Sequence, residues 1–340
     1  AVALYRRAMP LAATLRDVNR DELKTKLDYA VTRAGFRGQV EKLEALLKAD
    51  PNDQEARSEL VRLYVVELDN PAQAAKRLDL SRDSLSARFV LLAGMSPESL
   101  PRRALPEVGR WYHGLAEKSS AQGRLIALMR AKTYFERYLA SEEPGDQRLE
   151  VATALDQVDA VLAKAAAASA KLTVVALKDF QADLGRRFPP EANLAAQGDA
   201  RASGHWGNRL PENVFGGRRT GDAWSLNGPK GWFLARWNSP VRGRYILLFA
   251  RSGTGSGDAW GEAAITINDT RPQRVEGMES DRVLIVDLGM MVPVTSVRLD
   301  IKGTTYPGLA AVEIHPDGPR AKAAAAPATE PAPEAEPAPF

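Results

Sequence analysis

The segment VTSVRLDI, residues 294–301, decides the fold class of the C-terminal part of this chain. Successive side chains of a β-strand point to opposite faces, so Leu299 and Ile301 fall on one face and Arg298 and Asp300 on the other. An apolar face backed by a charged face is typical of an antiparallel sheet with one side in water. Further runs of this kind surround it: YILLFA at 245–250, AAITIN at 263–268 and VLIVDL at 283–288.

Turn-forming residues separate these runs. Asn-Gly-Pro at 227–229, a Gly-rich stretch at 252–258 and Tyr-Pro-Gly at 306–308 interrupt the apolar pattern. Glycine and proline favour backbone angles that end a strand. Several short strands at such spacing predict a β-sandwich or a barrel.

The composition limits the classes of function. With 340 residues, two domains are expected at about 150 residues each. The net charge of +3 comes from 46 basic and 43 acidic residues without a basic cluster, which argues against nucleic-acid binding. The absence of cysteine excludes disulfides, thiolate nucleophiles and cysteine-based metal sites. No apolar run approaches the roughly 20 residues that a transmembrane helix needs, and no signal peptide is visible in the sequence.

Residues 1–170 show helical periodicity. Apolar residues at 40, 43, 46 and 47 share one helix face, and DPND at 50–53 ends that helix, with Asp53 placed to cap the next one. This arrangement resembles a tetratricopeptide-type helical hairpin. The pair Trp111-Tyr112, followed by RAKTYF at 130–135, resembles a helical module of planctomycete proteins. Stacked helical hairpins present surfaces to partners, so we expect a scaffold that docks a protein.

Two other segments differ in composition from their neighbours. Residues 171–191 are expected to be a linker, because FPP at 188–190 favours an extended chain. The Ala/Pro/Glu-rich residues 319–340 are expected to be a disordered tail.

Short motifs follow one another in order along the remaining segment, residues 192–318: NLA at 193–195, ASG at 202–204, NVFGG at 213–217, WS at 224–225, GWF at 231–233, DLG at 287–289 and LAAVEI at 309–314. Their order resembles that of the discoidin-like (coagulation factor 5/8 C-type) galactose-binding domains. The resemblance implies an antiparallel β-sandwich, or jelly roll, so that the whole chain would be an α+β multidomain protein. It also implies that Trp224 and Trp232 lie in the core.

The family often binds a structural calcium ion in the turn near residues 213–217. Phe215 and Gly217 stand here where that turn usually carries acids. Calcium requires six to eight oxygen ligands, and the candidates that remain are Thr220, Glu313 and backbone carbonyls. No other cofactor is predicted.

Sugar recognition needs an aromatic ring against the apolar face of the sugar and polar side chains for its hydroxyl groups. Ligands of the family bind at loops at one end of the sandwich. The loop HWGNR at 205–209 combines both kinds of residue, and aromatic residues of two further loops are candidates. The predicted ligand-binding residues are His205, Trp206, Asn208, Arg209, Trp260 and Tyr306. The alternative is that these tryptophans only fill the core.

Three functional hypotheses follow. The first is a non-catalytic carbohydrate-binding or adhesion module on a helical scaffold, located outside the cytoplasm and bound to a glycan or cell-surface polysaccharide. The second is a structural component of a cell-envelope assembly that binds other proteins. The third is an enzyme using Asp222 or Asp258, but the sequence lacks the motifs of hydrolases and phosphate-binding loops. We therefore expect the protein not to be an enzyme.

Overall fold

The computed structural model describes residues 2–14, 20–78, 84–141, 147–252, 260–303 and 306–316. The chain divides into two units, residues 1–162 and 163–340, which we call the helical unit and the sheet unit. Helices dominate the first unit and antiparallel strands the second, which confirms the predicted α+β class. The predicted tail at 319–340 lies outside the described residues. None of the helices in the described ranges has the length and apolarity needed to cross a membrane.

The helices of the first unit follow the predicted periodicity. They are α1 (Val2–Thr14), α2 (Arg20–Ala49), α3 (Gln54–Arg62), a π-helical turn (Leu63–Glu67), α4 (Pro71–Ala75), α5 (Ser84–Ala93), α6 (Leu105–Ala116), α7 (Ala121–Ala140) and α8 (Arg148–Ala168).

The DPND turn between α2 and α3 forms as predicted. The Asp53 side chain accepts a hydrogen bond of 2.9 Å from the backbone N–H of Ala56, so it caps α3. After α3 the chain departs from a regular repeat, because the π-helical turn and the five-residue α4 replace one continuous helix. The tetratricopeptide-like and planctomycete-type assignments therefore stay predictions.

Aromatic rings pack between α6 and its neighbours α5 and α7. Tyr112 is buried and stacks on Tyr134 with 5.8 Å between ring centroids, and Trp111 stacks on Phe89 at the same distance. Gly109 permits the close approach of the two helices, since a Cβ atom there would lie 2.4 Å from Cε1 of the fully buried Phe135. The core of α6 and α7 thus depends on the absence of a side chain at position 109.

This contact predicts opposite effects for two glycines of α6. Gly109→Ala should lower the free energy of unfolding by about 1–3 kcal/mol, the usual cost of overpacking a core. Gly114→Ala is the matched control, because position 114 is exposed and a Cβ atom there would have no neighbour within 4 Å. The control should raise stability by up to about 1 kcal/mol through helix propensity. Urea unfolding followed by circular dichroism measures both, and equal effects of the two changes would contradict the packing argument.

The sheet unit contains helix α9 (Leu177–Arg187) and a set of antiparallel strands. The strands are β1 (Lys171–Ala176), β2 (Asp199–Ala202), β3 (Trp224–Ser225), β4 (Lys230–Ala250), β5 (Glu262–Ile267), β6 (Gln273–Val275), β7 (Arg282–Lys302) and β8 (Gly308–His315).

Two long strands, β4 and β7, pass through both layers of a sandwich. Residues 230–236 of β4 pair with 296–302 of β7, and after shifts in register residues 245–249 pair with 283–287. β2, β5 and β6 extend the first layer, whereas β1, β8 and β3 extend the second. The register shifts between β4 and β7 mark β-bulges, which bend a strand without ending it. The predicted antiparallel β-sandwich agrees with this topology.

The alternation in β7 orients its side chains as predicted. Leu299 is 0% and Ile301 3% exposed, whereas the side chains of Asp300 and Lys302 keep 44% and 65% of their surface in water. A layer with one buried and one hydrated face follows from this pattern.

The segment 171–191 is not a linker in the structure. β1 pairs with β7 over its whole length, from Lys171 opposite Asp287 to Ala176 opposite Arg282. After β1, α9 and the residue that follows it place Leu177, Leu184 and Phe188 in one apolar cluster with residues of β4 and β7. The predicted boundary near 192 is thus too late, because a strand and a helix of the sheet unit precede it.

The motif Asn193-Leu194-Ala195 attaches the start of this segment to β8. The Asn193 side-chain oxygen accepts hydrogen bonds from the backbone N–H groups of Ala195 and Ile314, at 2.9 and 3.0 Å. The N–H of Leu194 donates to the Ile314 carbonyl at 2.9 Å. One asparagine side chain therefore closes the loop that precedes β2.

Candidate functional site

An exposed tryptophan marks the loop between β2 and β3. Trp206 keeps 45% of its surface in water, an unusual exposure for so large an apolar side chain. Its backbone N–H donates to the Ser225 carbonyl at 2.9 Å, and the N–H of Arg209 donates to the Trp206 carbonyl at 3.2 Å. Gly207 between them has φ +57°, which permits this tight turn. The loop backbone is thus tied to β3.

Two side chains hold the indole of Trp206. Tyr306, just before β8, stacks on it with 4.6 Å between centroids and 19° between ring planes. The guanidinium carbon of Arg209 lies 5.0 Å from the indole centroid, within the range of a cation–π contact. We call Trp206, Tyr306 and Arg209 the Trp206 platform. Three of the predicted ligand-binding residues therefore meet in one place.

A network of charged side chains supports the residues of the platform. The Asp222 carboxylate forms ion pairs with Arg209 and, at 2.9 Å, with Arg251. Arg251 is 8% exposed and also donates to Ser225 Oγ at 3.1 Å and to the Tyr306 carbonyl at 3.0 Å. Arg251 thereby connects the support of Arg209 to that of Tyr306. Sequence reasoning did not identify Arg251, because an arginine that follows YILLFA resembles any exposed residue at a strand end.

The polar members of the predicted site lie on the same loop. His205 is exposed, with Nδ1 3.0 Å from the Gly207 carbonyl oxygen. Asn208 is exposed as well, and its carbonyl accepts a hydrogen bond of 3.1 Å from the Asn213 side chain. Both side chains are therefore accessible within three residues of Trp206.

Trp260 is not part of this surface, so its predicted role in ligand binding is wrong. It is 0% exposed, and its indole N–H donates to the Gly308 carbonyl at 3.1 Å. A buried indole whose only polar group is satisfied by the backbone belongs to the core. The expectation for the family's core tryptophans is confirmed for Trp224, which is 0% exposed, but not for Trp232, which is partly exposed on the outer face of β4.

The calcium candidates do not form a suitable ligand set. Both oxygens of Glu313 accept hydrogen bonds of 2.7 Å from Arg219, and His315 Nε2 lies 2.8 Å from Oε2. Both carboxylate oxygens of Glu313 are therefore engaged by the Arg219 guanidinium and are not available to a metal ion. Thr220 is exposed and lines a different feature, a cavity of about 470 Å³ shared with Asp222. Among the described residues no cluster of three acidic or histidine side chains is placed to hold a metal ion.

The carboxyl of Glu313 stays ionised in spite of its burial. Burial alone would raise its pKa, but the hydrogen bonds from His315 and Arg219 outweigh burial and hold the pKa below its ordinary value of 4.5. Arg219 also donates to the Phe188 carbonyl at the end of α9. This buried group thus connects β8, α9 and the loop before β3.

The lowered pKa predicts how stability depends on pH. The unfolded chain takes up a proton at this carboxyl more readily than the folded chain does. The stabilisation is therefore complete above pH 4.5 and is lost as the pH falls through the lower folded pKa. Glu313→Gln should lower the free energy of unfolding at pH 7 by about 3–5 kcal/mol, because it leaves Arg219 without its buried partner. The Glu313→Gln protein should also lose less stability than the unchanged protein when the pH falls below 4.5.

Tryptophan fluorescence during urea unfolding reports on the sheet unit, which contains five of the six tryptophans. Glu279→Gln is the control, because the Glu279 side chain is 61% exposed in its pair with Arg282 and should contribute under about 1 kcal/mol. A Glu313→Gln protein as stable as the control would disprove the role of the ion pair.

The network below the platform predicts a second effect. Asp222→Asn keeps the shape of the side chain but removes the charge that compensates Arg251, whose side chain is only 10% exposed. We expect the free energy of unfolding to fall by about 2 kcal/mol, the typical contribution of hydrogen bonds to charged groups. Asp199→Asn is the control, since the Asp199 side chain is 59% exposed in its pair with Arg201. Similar unfolding midpoints for both variants would show that Asp222 does not support the platform.

Comparison with known proteins gives only distant similarities. No protein-family model matches the chain. No curated protein matches it either. Among solved structures, the galactose complex of the family 32 carbohydrate-binding module of NanJ from C. perfringens is similar over 36% of this chain and 97% of its own, with 13% identity and a TM-score of 0.30. The lectin domain of lectinolysin with Lewis B antigen is similar over 37% of this chain and 96% of its own, with 15% identity and a TM-score of 0.31.

A chitosan-binding module of a Paenibacillus chitosanase/glucanase, similar over 36% of this chain and 98% of its own, has 15% identity and a TM-score of 0.29.

Proposed function

We propose that the sheet unit is a non-catalytic carbohydrate-binding module that holds a sugar on the Trp206 platform. The observation that carries this proposal is the exposed indole of Trp206, held by stacking on Tyr306 and by the guanidinium of Arg209. The exposed part of a fixed aromatic ring can contact the apolar face of a pyranose with little loss of side-chain entropy. A fixed, exposed ring is what such a ligand requires.

The ion pair of Arg209 favours a neutral sugar. Arg209 and the buried Arg251 share the carboxylate of Asp222, so a ligand carboxylate would have to compete with Asp222 for Arg209. The exposed side chains of His205 and Asn208 offer hydrogen-bond donors and acceptors to the hydroxyl groups of a sugar. The set is suited to a neutral hexose better than to a carboxylated sugar.

The proposal includes the finer expectations from the sequence. The motif order and the sandwich topology support membership of the sheet unit in the discoidin-like domains. A sugar-binding module acts where glycans are displayed, so we place the protein outside the cytoplasm. The helical unit would then be the scaffold that docks a protein partner. The enzyme hypothesis receives no support from Asp222, which is engaged with two arginines, and Asp258 lies outside the described residues.

The test is the binding of neutral glycans by the full chain. We expect a glycan array to show binding to galactose-terminated glycans, and calorimetry with methyl β-galactoside to give a dissociation constant near 1 mM, about −4 kcal/mol. Trp206→Ala should weaken this binding at least tenfold, because the stacking surface is lost. Leu194→Ala is the matched control, since Leu194 has nearly the same exposure, 44%, in the same unit.

Two outcomes would reject the proposal. One is the absence of binding to any neutral glycan at 10 mM; the other is equal affinity of the Trp206→Ala protein and the control. If the chain instead captures a protein through Trp206 with no effect of added sugar, the structural cell-envelope hypothesis is favoured.

A further inference from the structure

A second aromatic residue lies on the outer face of the sandwich. Trp232 belongs to the row of side chains that crosses the first layer from β4 to β6: Trp232, Asp300, Ala264 and Arg274, each opposite the next. The Arg298 guanidinium carbon lies 5.2 Å from the indole centroid and also binds the Asp300 carboxylate at 2.8 Å. These contacts hold the partly exposed indole in place.

The small side chain of Ala264 leaves space in the middle of this row. A cavity of about 910 Å³ lies over the face, lined by Trp232, Ala264 and Arg274 and by Lys230, Lys302 and Pro272. Ligand sites of proteins typically have volumes of about 300–1,000 Å³. The cavity is near the upper end of that range, which suits several linked sugar units better than one. We call this surface the Trp232 face.

The basic residues of the Trp232 face are placed for an anion. Lys230 of β4 lies directly opposite Lys302 of β7, and like charges in opposite positions destabilise a sheet. Two acids, Glu262 and Asp300, also line the cavity, and both are already paired: Glu262 with Lys302 at 3.2 Å, and Asp300 with Arg298. A carboxylate of a ligand beside Lys230 would compensate the charge of Lys230, as Glu262 does for Lys302.

Arg274 is also available to a ligand at low cost. Its ion pair with Glu276 is 3.3 Å long, and both side chains are 75% exposed. Exposed ion pairs of this kind contribute little to stability, because water and salt screen them. Exchange of Glu276 for a ligand carboxylate therefore costs little.

We propose that the Trp232 face binds a segment of an acidic polysaccharide, with a sugar ring against Trp232 and carboxylate groups at Lys230 and Arg274. The residues that form this site are different from those of the Trp206 platform. An aromatic ring for the sugar and basic side chains for the carboxylates together specify a polyuronate chain, in contrast to the neutral sugar of the platform.

The experiment uses the full chain and an octamer of galacturonic acid as the probe, with a neutral β-1,4-galactan octamer for comparison. Calorimetry should show binding of the acidic octamer that weakens at least tenfold in Lys230→Glu, with a smaller loss in Arg274→Ala. Lys230 is exposed, so its reversal tests the site without disturbing the core. Trp232→Ala should weaken binding as well, and circular dichroism checks that this variant remains folded.

The matched control is Trp206→Ala, which should bind the acidic octamer as well as the unchanged protein does. A rise in sodium chloride from 50 to 300 mM should weaken the binding of the acidic octamer, because the attraction is electrostatic.

Unchanged affinity for the acidic octamer in Lys230→Glu, or no binding of the acidic octamer at 1 mM, would overturn the proposal. Loss of acidic binding in Trp206→Ala alone would also overturn it, and would assign that ligand to the platform. The proposed function fails by a different result, the loss of neutral-glycan binding, so the two failures are distinguishable.

Discussion

The buried ion pair between Arg219 and Glu313 is the interaction on which the sheet unit depends most. The Glu313 side chain is 1% exposed and the Arg219 side chain 13%, so neither charge can be compensated fully by water. A single buried charge is costly, which makes the two residues obligatory partners. Arg219 also binds the carbonyl at the end of α9, and His315 contacts Glu313. One group of side chains therefore unites strand, helix and loop.

The candidate site depends on this pair through the chain itself. Arg219 fixes the loop three residues before Asp222, and Asp222 binds Arg209 and Arg251. Arg251 in turn holds the carbonyl of Tyr306, on which Trp206 stacks. The ion pair of Asp222 with the buried Arg251 thus helps to hold Tyr306, and through it the exposed ring of Trp206, in place. Such rigidity reduces the side-chain entropy that is lost when a ligand binds to the ring.

The sequence predicted features that depend on neighbours along the chain. The alternation around Leu299 and the cap at Asp53 need only a few residues to be visible, and both formed. Features that depend on distant residues could not be predicted. Glu313 is 94 residues from Arg219, and no local pattern indicates that pairing. Trp260 and Trp206 both follow polar, Gly-containing sequence, yet Trp260 is buried with its indole N–H bonded to the Gly308 carbonyl and Trp206 is exposed. β1 was missed because its partner, β7, lies more than 100 residues further along the chain.

Ion pairing also decides what each exposed aromatic ring offers to a ligand. On the Trp206 platform, Asp222 lies between two arginines and compensates the one that touches the ring. On the Trp232 face, Asp300 compensates Arg298 in the same way, but Lys230 remains opposite a second lysine, and the partner of Arg274 is exposed. The arginine beside Trp206 is 36% exposed and held by a protein acid, whereas Lys230 and Arg274 of the second surface are exposed to a ligand. Two aromatic surfaces in one sandwich can therefore favour different sugars, because the basic side chains beside the second are the more accessible.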